Sequence, residues 1–187
     1  MPSFFSNYKT VDYKIFDKTF NLTNITLRYK FKQNLSKNIY NFYDYTLRDG
    51  ERLDQVADMY YGDSKYVWVI VLVNDMIDPQ FEIPRTYDEF RKYIKNKYGS
   101  WENSLNNVHH YERVSVYKDS LTKVADIDPP LIISQELYNS DDLLPEEKKQ
   151  ISYLEYEEKI NESKRKIKLL DKSQLNLIIE LVESVFE

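Results

Sequence analysis

Cysteine is absent from this chain of 187 residues. Disulfide staples, thiolate nucleophiles and cysteine-ligated zinc are thereby excluded, and the composition fits a protein made in a reducing cytosol. Glycine is scarce at 3 residues, which leaves little material for hinges or for loops that cradle phosphates. Histidine is limited to His109 and His110. Neighbours in an extended segment point to opposite sides, so a two-histidine metal site is not expected. GxSxG, HExxH, Walker and GxGxxG motifs are missing. Asp54, Asp58, Asp63 and Asp75 are scattered as helix caps and solvated faces rather than paired as general acid and base. No enzyme activity, cofactor or metal is expected from this inventory.

Long apolar runs are also missing. Tyr66 to Val73 is unbroken for only 8 residues, well short of the roughly 18 that a membrane span needs. The opening MPSFFSNYKTVDYK lacks the apolar stretch of a secretory signal, so a soluble, cytosolic product is expected. With 26 basic and 31 acidic residues the formal charge is −5, which supplies no broad basic footprint for nucleic acid or anionic membrane. What is abundant is tyrosine, at 17 residues. Its large apolar ring with a polar tip suits half-buried positions and protein interfaces alike.

Val11, Tyr13 and Ile15 alternate with Asp12 and Lys14, and Ile25, Leu27, Tyr29 and Phe31 alternate with Thr26, Arg28 and Lys30. Both segments read as extended, each with one apolar face. Ile25 to Phe31 is expected to pack on the chain's own core. Residues 1 to 20, with Phe4, Phe5 and Tyr8, either do the same or form an arm on another subunit. Tyr43, Tyr45 and Leu47 alternate with polar residues as in a half-buried strand, Asp49-Gly50 supplies a turn, and Leu53, Val56, Ala57 and Tyr60 share one helix face up to a C-terminal Gly62. Thr86 and Glu89 form a capping box for a helix that carries Phe90, Tyr93 and Ile94 and ends at Gly99. Beyond it Tyr111 to Tyr117 reads as a strand, and Asp128-Pro129-Pro130 as a stiff corner. From Pro145 a long amphipathic helix is expected, with Tyr153, Tyr156, Ile160, Ile167 and Leu170 at a/d-like spacing. Asp171 to Gln174 then caps a second helix through Leu175 and Ile178. The apolar stripe packs internally or meets a partner.

Tyr43 to Pro79 resembles a LysM-like module. Its wording DGERLDQVADMYYGDSKYVWVIVLVND is similar to the baseplate wedge protein of T4-type contractile-tailed phages. NITLRYKF, KYGS at Lys97 to Ser100 and YEEKINESKRKIKLL from Tyr156 to Leu170 follow in that family's order. By periodicity alone the Val-rich run would be a buried strand. The resemblance instead implies a second helix over Lys65 to Asn74, capped by Asp63 or Ser64.

The resemblance further implies an α+β fold. A LysM-like strand-helix-helix core with an added helix would span 43–99, after an extended region over 1–42 and before a mixed segment over 100–144 and C-terminal helices over 145–187. It implies a structural role, joining wedge subunits around the central hub of a sixfold tail baseplate, with other wedge proteins and hub or tube proteins as partners. The location would be the virion tail, and the host cytoplasm during assembly. Phe4, Phe5, Tyr8, Tyr153, Tyr156, Ile160, Ile167 and Leu170 are the candidate interface. A cell-wall glycan-binding LysM module is the alternative. LysM glycan binders close with a glycine-bearing second strand, however, and the stretch DPQFEIPRTYDEF has no glycine.

Overall fold

The computed structural model describes residues 9–24, 42–118 and 121–184, and its fold is α+β. The readings made for Phe4, Phe5, Tyr8 and Ile25 to Phe31 lie outside the described residues. The chain divides into two compact units. One is Met1–Pro84 with Lys164–Glu187, and the other, Arg85–Ser163, is inserted into it.

In the first unit, β1 (Thr10–Ile15) and β2 (Lys18–Thr23) form an antiparallel hairpin with Val11 opposite Leu22 and Tyr13 opposite Phe20. The rest is a strand-helix-helix-strand layer. β3 (Phe42–Thr46) leads into α1 (Leu53–Tyr61), which begins where the Arg52 amide donates to Gln55 Oε1 at 3.1 Å. It stops at Gly62, whose φ of 84° is the left-handed value that a glycine takes without steric penalty. Asp63 then accepts from the Lys65 amide and starts a single 3-10 turn that runs into α2 (Val67–Val73). The Val-rich run is thus helical. Val69 and Ile70 are fully buried, which is what allows an all-apolar helix.

The layer is closed by β7 (Lys166–Leu170), antiparallel to β3 with Tyr43 opposite Leu169 and Tyr45 opposite Ile167. After α2, Pro79–Glu82 coils into the short helix α3. One expectation is corrected: no single helix runs from Pro145 to Leu170. Pro145–Glu147 is one 3-10 turn, Lys148–Ser152 is a strand, the helix spans only Tyr153–Ser163, and Ile167 and Leu170 belong to β7. The physical reason lies in the series itself. Its a/d spacing requires an apolar residue at position 163, where serine stands, while Lys166 to Leu169 alternates with the period of a strand. Leu47, Leu53, Val56, Ala57, Ile70, Met76, Ile167 and Leu169 form the main core. A second cluster joins Val69 and Leu170 to Ile178 of α8 (Leu175–Ser184), with Trp68 half-buried against it.

The inserted unit contains α4 (Tyr87–Tyr98), started by the Thr86–Glu89 capping box, and α5 (Trp101–Asn106), capped by Ser100. Its sheet has the order β5-β4-β6, from β4 (Val108–Tyr117), β5 (Lys123–Ile133) and β6 (Lys148–Ser152). The prolines Pro129 and Pro130 lie within β5, in the irregular stretch between its pairings Arg113 to Leu131 and Ser115 to Asp126. The short α6 (Gln135–Asn139) follows. α7 (Tyr153–Ser163) starts where Ser152 Oγ accepts from the Glu155 amide. Phe90, Ile94 and Leu154 make the apolar core. The two ends of the unit are tied together: Asn161 Oδ1 accepts from the Arg85 amide at 2.8 Å, and Asn161 Nδ2 donates to the Arg85 carbonyl at 3.2 Å.

Candidate interaction surfaces

The β1–β2 hairpin is the clearest exposed apolar feature. Alternation and register put Val11, Tyr13 and Ile15 on the same face as Phe20 and Leu22, and all five are between 43% and 57% exposed. Phe16, at the turn, is 93% exposed. A lone two-stranded hairpin is marginal in water, so an apolar face of this kind gains stability when something covers it.

Beside β3 and β7, Tyr43, Tyr60, Asp171 and Lys172 line a shallow depression. The Tyr43 hydroxyl donates to Asp171 Oδ2 at 2.8 Å, which raises the phenol's affinity for its proton. The Tyr60 ring meets Tyr43 edge-on at 6.5 Å and lies under the Lys172 ammonium. Behind them the outer edge of β7 is covered by side chains. Asn74 pairs with both the carbonyl and the amide of Lys168, each at 2.8 Å, and the Tyr61 hydroxyl donates to the Leu170 carbonyl and accepts from its amide. Burial drives the Tyr61 phenol far above its ordinary value. No sequence signal links Asn74 or Tyr61 to a strand about a hundred residues away.

In the inserted unit the two histidines contradict the expectation that their rings point apart. β4 pairs with β6 through Val108 to Ser152 and then His110 to Ile151, so His109 is an extra residue in a bulge. The bulge brings His109 Nδ1 to 2.7 Å from His110 Nδ1, and His110 Nε2 to 3.1 Å from Glu112 Oε1. His109 stacks on Tyr156 with centroids 3.8 Å apart and lies edge-on to Tyr153. Burial first, and then His110, hold the His109 imidazole below its ordinary pKa. Among the described residues no group of three or more His, Asp or Glu is arranged to hold a metal.

Next to it, Glu157 is buried yet accepts from Lys97 Nζ at 2.6 Å, from the Tyr98 hydroxyl at 2.8 Å and from the Tyr93 hydroxyl at 3.2 Å. Burial alone would push this carboxyl up, but the three donors together hold it below the usual range, and Lys97 rises in response.

The structure therefore separates the candidate interface residues. Tyr153, Tyr156 and Ile160 are half-buried on α7 in the inserted unit, with both rings engaged by His109. Ile167 and Leu170 are 3% and 2% exposed in the core clusters of the first unit, so the stripe is not one surface.

An α+β chain that leaves a whole hairpin face and several aromatic rings in solvent has surfaces suited to joining other subunits. It belongs to the phage base plate wedge protein 53 family, whose pattern matches residues 4–183. Membership gives it a structural place in the tail base plate of the virion. No curated protein matches the chain. Among the described residues no helix is long and apolar enough to cross a membrane.

Proposed function

We propose that this protein joins wedge subunits to one another around the central hub as the base plate assembles in the host cytoplasm. Its neighbours are other wedge proteins, together with hub or tube proteins, and the product is a sixfold ring. The observation that carries this reading is the uncovered apolar hairpin in a chain of the wedge family. Returning five half-exposed apolar side chains to an apolar setting contributes on the order of 1 kcal/mol each, which is enough to dock the hairpin once larger contacts bring partners together. Phe4, Phe5 and Tyr8 precede it in the chain, and Tyr153, Tyr156 and Ile160 offer a second contact. The strand-helix-helix-strand order of the first unit supports a LysM-like reading of that unit, here given to protein contacts rather than to glycan.

Size-exclusion chromatography of the full chain, with and without coexpressed base plate subunits, tests the reading. The wild type is expected to coelute with them. A Tyr13→Asp, Phe20→Asp double variant is expected to keep its melting temperature and lose the complex. A wild type that joins none of these complexes would overturn the proposal.

A further inference from the structure

Between α4 and α5 runs an open groove of about 520 Å3. Trp101 lines it, half-buried, with its ring held edge-on against Phe90 at 6.4 Å. Arg91, Lys92 and Lys95 line the same groove, all exposed. Its two carboxylates, Asp88 and Glu102, sit in the first turns of α4 and α5, where they complement the helix dipoles. Lys95 likewise sits in the last turn of α4 and complements that end of its dipole, whereas Arg91 and Lys92, in the middle of the helix, have no such placement. Arg91 lies over the Tyr87 ring at 5.7 Å, and among the described residues none of the three makes an ion pair. Arg91 and Lys95 are one helical turn apart, so their like charges repel in the free protein. The neighbouring Lys97, by contrast, is committed to Glu157.

We propose that this groove docks an acidic segment of a neighbouring protein, one that places an aromatic or aliphatic side chain on Trp101 and carboxylates on Arg91, Lys92 and Lys95. The proposal rests on the assembly reading above and names the chemistry of one partner. Tryptophan and arginine are the residue types that most often anchor protein interfaces, and a neutralised i,i+4 repulsion adds to the gain on docking. Nucleic acid fits less well, because three cations interleaved with Asp88 and Glu102 on a chain of net charge −5 make no extended basic track for a run of phosphates, whereas a short segment needs only a few carboxylates placed on Arg91, Lys92 and Lys95.

The test uses the full chain and a fluorescein-labelled synthetic peptide of Glu and Asp around a single Phe. A Lys-for-acid version of the peptide and a single-stranded oligonucleotide serve as competing probes. The acidic peptide is expected to bind, more weakly as salt rises, and Lys92→Glu with Lys95→Glu to weaken it by about tenfold or more while the chain keeps a cooperative melt. Trp101→Phe, which keeps an aromatic ring against Phe90, is expected to weaken it as well. Absence of peptide binding, equal binding of the basic peptide, tighter binding of the oligonucleotide, or indifference to charge reversal would each overturn the proposal. Coelution of the wild type with base plate subunits is scored separately. If the wild type coelutes and the reversed variant does so equally, the groove proposal fails while the assembly reading stands.

Discussion

Glu157 is a buried carboxylate of the inserted unit held by three side-chain donors, and they make a prediction with a definite sign. Its carboxyl is depressed in the folded protein, so the stability it contributes is present above the ordinary carboxyl range of about 4 to 4.5 and is lost as pH falls through the lower folded value. Glu157→Gln is expected to cost about 1–3 kcal/mol at neutral pH and to flatten the acid limb of a plot of melting temperature against pH. An unchanged acid limb would mean that other carboxyls govern it. His109 gives a second test. The 2.7 Å contact between the two Nδ1 atoms needs one donor and one acceptor, so the pair cannot keep it with both rings protonated. Because the His109 value is lowered, the unfolded chain takes up this proton first, and stability falls as pH drops from about 6.5 toward the folded value. Titration followed by NMR should place the His109 ring below the ordinary imidazole range, and Tyr156→Ala, by removing the stacked ring, should move it back up.

At the scale of elements, the outer edge of β7 is blunted by two side chains instead of another strand. Unpaired edges invite association, and here Asn74 and Tyr61 meet the amides and carbonyls of Lys168 and Leu170. Asn74→Ala is expected to cost about 1–2 kcal/mol and to accelerate amide exchange at Lys168, which hydrogen exchange measures. Unchanged protection there would show that the strand is held by β3 alone. Local signals were legible because each needs only a few consecutive residues: Gly62 at its left-handed cap, Thr86 with Glu89, and Asp171, which accepts from the Ser173 amide at 2.7 Å. Periodicity misled where two periods overlapped, at Lys166 to Leu170. It was silent where the ladder is irregular, as for β5, which carries Pro129 and Pro130 between its pairings, and for the bulge that turns His109 toward His110.

At the scale of the whole molecule, the order of folding dependencies follows from the insertion. Residues 1–84 lack the strand that closes their layer. Without β7, the apolar side chains of Leu47, Leu53, Val56 and Ile70 lose Ile167 and Leu169 as neighbours, and among the described residues of 1–84 no other strand lies in their place. The inserted unit has its own apolar core and three-stranded sheet, with the Arg85 and Asn161 backbone and side-chain contacts fastening its two ends. The chain returns to its first unit only after residue 163. A fragment of residues 85–163 is therefore expected to fold alone, with dispersed NMR resonances and a cooperative melt. A fragment of residues 1–84 is expected to stay unfolded until residues 164–187 are supplied, on the same chain or as a separate peptide. Within the inserted fragment, Asn161→Ala should lower stability by about 1–3 kcal/mol by releasing the tie between its ends. If 1–84 folds without the C-terminal segment, β7 is an addition to a complete module rather than its closing strand, and the insertion reading fails.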